Sequence, residues 1–203
     1  MNALYVTDRR SAGDERVRET MAALSGAPGV TVQLREKDTP DRDCLAWAEF
    51  ARQALAPQTP LYVNRRFDIA LAAGADGVHL PASGLPLARV RSSTPRGFRI
   101  GVSTHSPIEV RRAIEEGADL VLIGPVFDTP SKRAFGPPLG PEALGELPPR
   151  DEHSAEVFAI GGISEKNLAR LDPYRDRIAG VAGIRLFQQS PDPRGLAERI
   201  ARR

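Results

Sequence analysis

Three polar side chains in one loop, Thr129, Ser131 and Lys132, could bind an anion. They follow the continuously apolar run Leu120–Ile123, which is typical of a strand covered on both faces. Two hydroxyls and an ammonium just past a buried strand each offer a hydrogen-bond donor without a counter-ion of their own. We therefore expect this loop to bind an anionic group, and a solvated surface loop is the alternative interpretation.

A second group of polar side chains ends an apolar run at residues 30–35. Gln33, Arg35 and Lys37 alternate along the chain, and a spacing of two residues directs side chains of a strand toward one face. Polar groups on the inward face of an apolar strand are costly unless a ligand or a partner uses them. The spacing therefore predicts a second set of ligand-binding residues.

Glycines at the ends of two later apolar runs predict a phosphate site. Gly161 and Gly162 follow one run, and Gly183, Ile184 and Arg185 belong to the next. Paired glycines let the backbone approach an anion closely, and free amides at a helix start point toward it. Arg185 could add a charge-assisted hydrogen bond. A tight turn that requires glycine is the alternative for Gly161 and Gly162.

Other polar side chains also fall at the ends of apolar runs. Asn64 and Arg65 end the third run, and Ser103 and His105 end the fifth. Because no carboxylate is found at these positions, His105 and Lys37 are the titratable candidates for moving a proton. His79, in the fourth run, is interpreted as structural.

All these residues can be positioned by one architecture, in which short apolar runs alternate with helical stretches. The predicted strands are residues 4–7, 30–35, 61–64, 77–80, 100–104, 120–123, 157–160 and 180–186. The predicted helices are residues 14–24, 41–55, 68–74, 85–91, 107–117, 141–147, 165–171 and 193–201. Eight such units predict a single-domain (β/α)8 barrel over residues 1–203, with functional groups where strands end. A doubly wound open sheet is the alternative.

Composition narrows the function classes. The 203 residues carry 28 basic and 26 acidic side chains, a net charge of +2, and the basic residues are scattered. This balance disfavours nucleic acid as a partner. No run of ~18 apolar residues and no signal-peptide core occurs, so we expect no membrane partner and a cytoplasmic location. The single cysteine, Cys44, excludes an internal disulfide and a zinc-binding thiol cluster.

Several stretches together resemble the thiamine phosphate synthase/TenI family, which consists of small (β/α)8 barrels of thiamine biosynthesis. The resemblance covers nearly the whole chain, and its motifs keep the family's order and spacing. The motifs are LREK (34–37), ALAAGADGVHL (70–80), GVSTHS (101–106), GADLVLIGPVFDTPSK (117–132), PPLG (137–140) and AIGGIS (159–164).

The resemblance implies roles for the residues that match the family's motifs. Gly162, Ile184 and Arg185 would meet a thiazole phosphate, and Ser103 would meet a pyrimidine. A pyrophosphate or its counterpart would be surrounded by Gln33, Arg35, Lys37, Asn64, Thr129, Ser131 and Lys132.

Two departures from the family pattern shape the functional expectation. In the synthases two aspartates hold magnesium on the pyrophosphate, and here those positions are Arg65 and Gly84. A hard cation prefers carboxylate oxygens, so the sequence predicts no metal site and no cofactor. The TenI branch, whose thiazole tautomerases need no metal, can carry a histidine where Pro125 stands, so His105 or Lys37 would have to move the proton.

Three functions remain as expectations. The first is a TenI-like isomerase that moves a proton on a thiazole phosphate, and magnesium-dependent coupling is not expected at a useful rate. The first alternative is a thiamine phosphate synthase, which joins hydroxymethylpyrimidine pyrophosphate to thiazole phosphate and would use Mg²⁺. The second is a non-catalytic phosphate-ligand binder. Each implies a small-molecule partner, and a homo-oligomer stays open.

Overall fold

Eight parallel strands close into a barrel in the computed structural model, which describes residues 1–37, 39–130, 133 and 136–203. Each strand pairs with the next along the chain, and β8 pairs with β1. Among the described residues the strands are β1 (Asn2–Val6), β2 (Val30–Leu34), β3 (Leu61–Asn64), β4 (Gly77–Leu80), β5 (Arg99–Thr104), β6 (Leu120–Ile123), β7 (Glu156–Ile160) and β8 (Gly180–Gly183).

Helices connect the strands on the outside of the barrel. The described α-helices are α1 (Arg9–Ala12), α2 (Asp14–Leu24), α3 (Asp41–Ala54), α4 (Phe67–Ala72), α5 (Leu87–Ser92), α6 (Pro107–Glu115), α7 (Arg185–Gln188) and α8 (Pro193–Ala201). Three described 3₁₀ helices complete the connections: Pro141–Glu146, Arg150–Glu152 and Leu168–Tyr174. None of the described helices has the length and apolarity that a membrane crossing requires.

The (β/α)8 barrel predicted from the sequence is confirmed, and several of its elements differ from the prediction in their bounds or type. The second strand ends at Leu34 rather than at residue 35. The predicted eighth strand, 180–186, ends at Gly183, because the backbone turns at Ile184 and helix α7 begins at Arg185.

The connections after β6 and β7 also differ from the prediction. Residues 141–147 and 165–171 were predicted as α-helices, and the structure has 3₁₀ helices at Pro141–Glu146 and Leu168–Tyr174. Pro173 lies inside the second of these. Proline lacks the N–H that an α-helix interior needs, so a short 3₁₀ segment is the better solution there.

The core has two layers that follow from strand alternation. Outward-facing strand residues such as Val32 and Val121 pack against the helices in the larger apolar cluster. A smaller cluster inside the barrel contains Leu4, Tyr62 and Phe158. This inner packing closes the barrel below the carboxyl-terminal ends of the strands, so a ligand can enter only from that end.

Candidate active site

A cavity of about 1050 Å³ opens at the carboxyl-terminal end of the strands, and its floor has a polar half and an apolar half. The polar half takes one side chain from each of β2 to β5: Gln33, Asn64, His79 and Ser103. The apolar half takes one from each of β1, β6, β7 and β8: Val6, Leu122, Ile160 and Ala182. A flat ring could therefore lie on this floor with its polar edge toward β2–β5.

Two hydrogen bonds order the polar half of the floor. The Gln33 side-chain amide donates from Nε2 to Asn64 Oδ1 at 3.3 Å. His79 Nε2 lies 2.8 Å from Ser103 Oγ. Gln33 Oε1 is shut off from solvent and has no hydrogen-bond partner among the described residues. A buried acceptor without a partner is costly.

One rim of the cavity is cationic and lies above β2 and β3, where Arg35, Lys37 and Arg65 line the opening. The loop after β2 is tied to β1 by the buried hydroxyl of Thr7, which accepts from the Arg35 backbone N at 2.9 Å. The same hydroxyl donates to Glu36 Oε1 at 2.6 Å. Burial raises the pKa of the Glu36 carboxyl, although the hydrogen bond from the Thr7 hydroxyl opposes this shift. Thr7 thus fixes where the Arg35 backbone leaves the barrel.

Arg65 has a backbone conformation that is unusual for its residue type. Its φ is +67°, and its N–H donates to His79 O at 2.8 Å. Left-handed backbone at a residue other than glycine is strained and persists where surrounding contacts fix it, often at functional sites. The neighbouring Arg66 faces elsewhere, in ion pairs with Asp68 at 2.6 Å and with Asp41. Of the two adjacent arginines, only Arg65 lines the cavity.

The opposite rim is formed above β7 and β8 by glycine-rich backbone. Gly161 and Gly162 have φ values of +101° and +65°. A Cβ on Gly162 would lie 2.4 Å from the backbone oxygen of Asp128, so the two loops meet too closely for any side chain. Asn167 fastens the turn, because its side chain donates to Gly162 O and accepts from the Ser164 N–H, at 2.9 and 2.8 Å.

The end of β8 joins this rim to the loop after β6. The strand stops at Gly183, Ile184 turns the backbone, and Arg185 opens α7. Arg185 Nη2 donates to Thr129 Oγ1 at 2.9 Å. This bond uses one guanidinium nitrogen, so the remaining N–H groups of Arg185 are available to an anion at the same rim.

His105 stands at the edge of the cavity with its ring orientation fixed. Its Nδ1 lies 2.8 Å from the carbonyl oxygen of Gly124. A carbonyl only accepts, so Nδ1 carries a proton in this hydrogen bond, and the neutral form of the ring has its lone pair on Nε2. The side chain is exposed and lines the cavity. An oriented imidazole with a lone pair available is suited to accept a proton.

Carboxylates are present at the cavity, contrary to the expectation from the sequence. Asp8 lies two residues after the end of β1 and lines the cavity, as do Asp128 and Glu165. Asp8 Oδ1 accepts from the Ser11 backbone N at 3.3 Å and so caps α1, and Asp128 pairs with Arg133 at 2.5 Å. Sequence reasoning missed Asp8, although a carboxylate right after an apolar run is the same signal that identified Asn64.

The donor set does not fit a carboxylate-held magnesium ion. The described residues contain no group of three or more His, Cys, Asp or Glu side chains that could hold a metal. At the two positions where the synthases carry aspartates stand Arg65, whose charge would repel a cation, and Gly84, which has no side chain.

The cavity brings together every predicted site residue that the structure describes. They are Gln33, Arg35, Lys37, Asn64, Arg65, Ser103, His105, Thr129, Gly161, Gly162, Gly183, Ile184 and Arg185. Ser131 and Lys132 lie outside the described residues. These residues therefore lie together around one cavity, and the roles predicted for them stay predictions.

Fold and site define a (β/α)8 barrel with a ligand cavity at the carboxyl-terminal end of its strands. More narrowly, the chain belongs to the thiamine monophosphate synthase family, whose model matches residues 3–187. The thiamine-phosphate synthase of Methanoculleus marisnigri is 41% identical over 98% of this chain and 95% of its own length. A protein of Geobacter sulfurreducens, provisionally named thiamine-phosphate synthase, is 42% identical over 98% of this chain and 92% of its own.

A solved structure supports the same relationship. Thiamine phosphate pyrophosphorylase from Pyrococcus furiosus superposes with a TM-score of 0.82 at 28% identity, covering 99% of this chain and 94% of that one. The resemblance read from the sequence is therefore confirmed at the level of the family. The preference for the TenI-like branch gains no support, because these relatives carry the name of synthase or of pyrophosphorylase. The comparisons favour the synthase alternative over the tautomerase.

Proposed function

We propose that this protein is a thiamine phosphate synthase, which joins hydroxymethylpyrimidine pyrophosphate to thiazole phosphate and releases pyrophosphate. The observation that carries the proposal is the pair of rims on opposite sides of one cavity, one cationic above β2–β3 and one of glycine-rich backbone above β7–β8. A coupling reaction between two anionic substrates needs two anion subsites, and these rims would supply them. A thiazole carboxylate phosphate would use both rims as well, and the names of the relatives favour the coupling reaction.

The cationic rim would hold the pyrophosphate. Arg35, Lys37 and Arg65 line it, and the loop that carries Thr129 reaches the same cavity. The family resemblance implies pyrophosphate contacts for Ser131 and Lys132 too, which lie outside the described residues. Arginine matches phosphate oxygens with two parallel hydrogen bonds, and lysine adds a compact charge.

The glycine rim would hold the thiazole phosphate. Backbone amides near Gly162 and Ile184 would donate to its oxygens, and Arg185 would add a charge-assisted bond. The two rings would then meet over the floor, where Ser103 would contact the pyrimidine. The polar edge of that ring would face β2–β5, and the apolar half of the floor would pack beneath the thiazole.

The chemical demand on the chain is neutralisation of the leaving group. As the C–O bond to pyrophosphate breaks, its electron pair and growing negative charge move onto the leaving oxygens. Preorganised cations near those oxygens stabilise that charge without reorganisation. Because the donor set does not fit a carboxylate-held metal, this role falls to Arg65 together with Arg35 and Lys37.

A tautomerase-type proton transfer on a thiazole carboxylate phosphate is the second candidate, and one observation favours it. The fixed ring of His105, with Nδ1 bonded to Gly124 O, would present a proton-accepting Nε2 to a ligand in the cavity. The cationic rim would then bind the carboxylate of the substrate. This candidate uses the rim above β2–β3 for a carboxylate rather than for a pyrophosphate.

The deciding experiment measures thiamine phosphate formation from both substrates, with magnesium and with a chelator. We expect product in both conditions, and a rate about 10²–10³-fold lower in Arg65→Ala, the effect of removing one preorganised donor from a developing oxyanion. Arg66→Ala is the matched control, since its guanidinium pairs with Asp68 and Asp41, away from the cavity. Its rate should stay within about threefold of the native rate.

Each other outcome has a definite meaning. No thiamine phosphate in either condition, together with proton exchange on the thiazole ring, would replace the synthase by the tautomerase. Binding without either reaction would make the chain a phosphate-ligand binder. Product that disappears on chelation, with Arg65→Ala at the native rate, would keep the synthase and remove Arg65 from its leaving-group site.

A further inference from the structure

The histidine on the cavity floor, His79, contacts the serine expected to meet the substrate. His79 is central in β4, is 2% exposed, and has its Nε2 2.8 Å from Ser103 Oγ on β5. Both side chains line the cavity. No role for His79 followed from the sequence, where it was interpreted as structural.

The second nitrogen of the His79 ring, Nδ1, is buried beside the backbone of Gly101. His79 Nδ1 is shut off from solvent and has no hydrogen-bond partner among the described residues. Gly101 is paired with His79 in the sheet, and a Cβ at Gly101 would lie 2.6 Å from Nδ1. The absence of a side chain at Gly101 therefore makes the space for the imidazole.

These contacts decide which nitrogen carries the proton. A neutral imidazole has one donor nitrogen and one acceptor nitrogen. A proton on Nδ1 would bury an N–H group without an acceptor, which proteins avoid more strictly than an unused acceptor. Burial, and secondarily the charge of Arg35, lowers the pKa of His79 to about 3, so the ring is neutral near pH 7. The proton therefore resides on Nε2.

This tautomer sets the direction of the hydrogen bond to Ser103. Nε2–H donates, so Ser103 Oγ accepts and its own hydrogen must point elsewhere. Among the described residues, the Ser103 hydroxyl makes no hydrogen bond other than the one to His79, and Ser103 lines the cavity. The hydroxyl hydrogen is thus directed at whatever occupies the floor.

We infer that His79 is a positioning residue that fixes the Ser103 hydroxyl as a hydrogen-bond donor into the cavity, and that the pair selects a substrate atom that accepts without carrying a proton. The assignment of that atom to a substrate rests on the proposed function. For the synthase it is an unprotonated ring nitrogen of the pyrimidine. For the tautomerase it would be an unprotonated acceptor atom of the thiazole ring.

The first test needs no ligand. Nitrogen-15 NMR of the histidine rings in the free protein should show His79 neutral, with a proton on Nε2 and none on Nδ1, from pH 8 to pH 5. Assignment of the signal by His79→Gln makes the reading unambiguous. A proton on Nδ1, or protonation of the ring within this range, would overturn the inference whatever reaction the protein performs.

The second test uses variants and an analogue in which one ring nitrogen of hydroxymethylpyrimidine pyrophosphate is replaced by C–H. The native protein should bind the parent compound about tenfold more tightly than the analogue, the effect of one neutral hydrogen bond. Ser103→Ala and His79→Met should remove this preference. His79→Gln should recover most of it, because its amide nitrogen can donate to Ser103 as Nε2 does.

Controls separate this inference from the proposed function. The double variant His79→Met/Ser103→Ala should lose no more preference than Ser103→Ala, since both changes remove one shared interaction. A preference that survives in His79→Met would refute the positioning role. If thiazole carboxylate phosphate shows the Ser103 and His79 dependence and the pyrimidine pyrophosphate does not bind, the synthase fails while the inference stands. If the binding of neither ligand depends on Ser103 and His79, the inference is refuted.

Discussion

Replacing Gly162 by alanine tests whether the two loops at the phosphate rim must touch. A Cβ there would lie 2.4 Å from Asp128 O and 2.7 Å from Phe127 O. Both atoms belong to the main chain, which is itself held because Phe127 N donates to Gly161 O at 2.9 Å. The clash can therefore be relieved only by moving the loop after β6 away from the loop after β7.

A second glycine gives a matched control for the backbone strain. Gly74, after α4, has a φ of +66° against +65° for Gly162, and a Cβ at Gly74 would have no heavy atom within 4 Å. Left-handed backbone costs a residue with a side chain ~1–2 kcal/mol. The smaller entropy of the unfolded chain returns ~0.4–1 kcal/mol. Gly74→Ala should thus lower the free energy of unfolding by about 1 kcal/mol or less.

Gly162→Ala includes the same strain and adds the steric clash. Forcing extra volume into a packed site costs ~1–3 kcal/mol, so with the net strain the total should reach about 1–4 kcal/mol. Urea unfolding of the native protein and both variants measures the differences in the free energy of unfolding, provided that the three proteins share one m-value. Thiazole phosphate binding, measured by calorimetry, should weaken in Gly162→Ala and stay native in Gly74→Ala. Equal destabilisation of the two variants would refute the contact between the loops, and native binding in Gly162→Ala would remove it from the phosphate site.

Two further predictions concern individual side chains. Arg185→Ala should weaken thiazole phosphate binding by about 1.5–3 kcal/mol, which is the value of a hydrogen bond to a charged group. Arg112→Ala is the control and should leave binding unchanged, because Arg112 is in an exposed ion pair with Glu116. Equal affinities of Arg185→Ala and the native protein by calorimetry would exclude Arg185 from the site. His105→Ala or Lys37→Ala should abolish proton exchange on the thiazole ring if the tautomerase operates, because these are the proton carriers expected from the sequence. Full exchange rates in both variants would show that neither residue carries the proton.

Sequence patterns located the barrel because they are local. A strand buried on both faces must be a short apolar run, and the predicted bounds of β6 agree with Leu120–Ile123. Helices α2 and α8 also agree, since apolar periodicity marks both and the Asp192 side chain caps the start of α8. The prediction failed where a tertiary turn ends an apolar run. Leu186 continues the apolar pattern of β8 because α7 buries it, and a pattern cannot distinguish burial in a strand from burial in a helix.

The site shows a similar limit. Gln33 faces inward from β2 as its spacing predicts, but Arg35 and Lys37 lie beyond the end of the strand, where period-two alternation no longer applies. The Arg35 backbone is held there by the Thr7 hydroxyl, a contact between residues 28 positions apart. The pairing of His79 with Ser103 likewise depends on how β4 and β5 lie beside one another. Such contacts leave no mark in a single sequence.

Under the proposed function, a neutral His79 would help one end of the barrel to hold two anions apart. Anions are attracted to the positive charge of the rims, where Arg35 and Arg65 stand on one side and Arg185 on the other. A protonated His79 would place a further charge on the floor between them and draw a phosphate down toward the position of the rings. Burial, aided by the charge of Arg35, keeps the pKa of His79 low, so the floor offers hydrogen bonds without charge. Under the proposed function, the cation that binds the leaving group therefore adds to the effect of burial in keeping the floor uncharged.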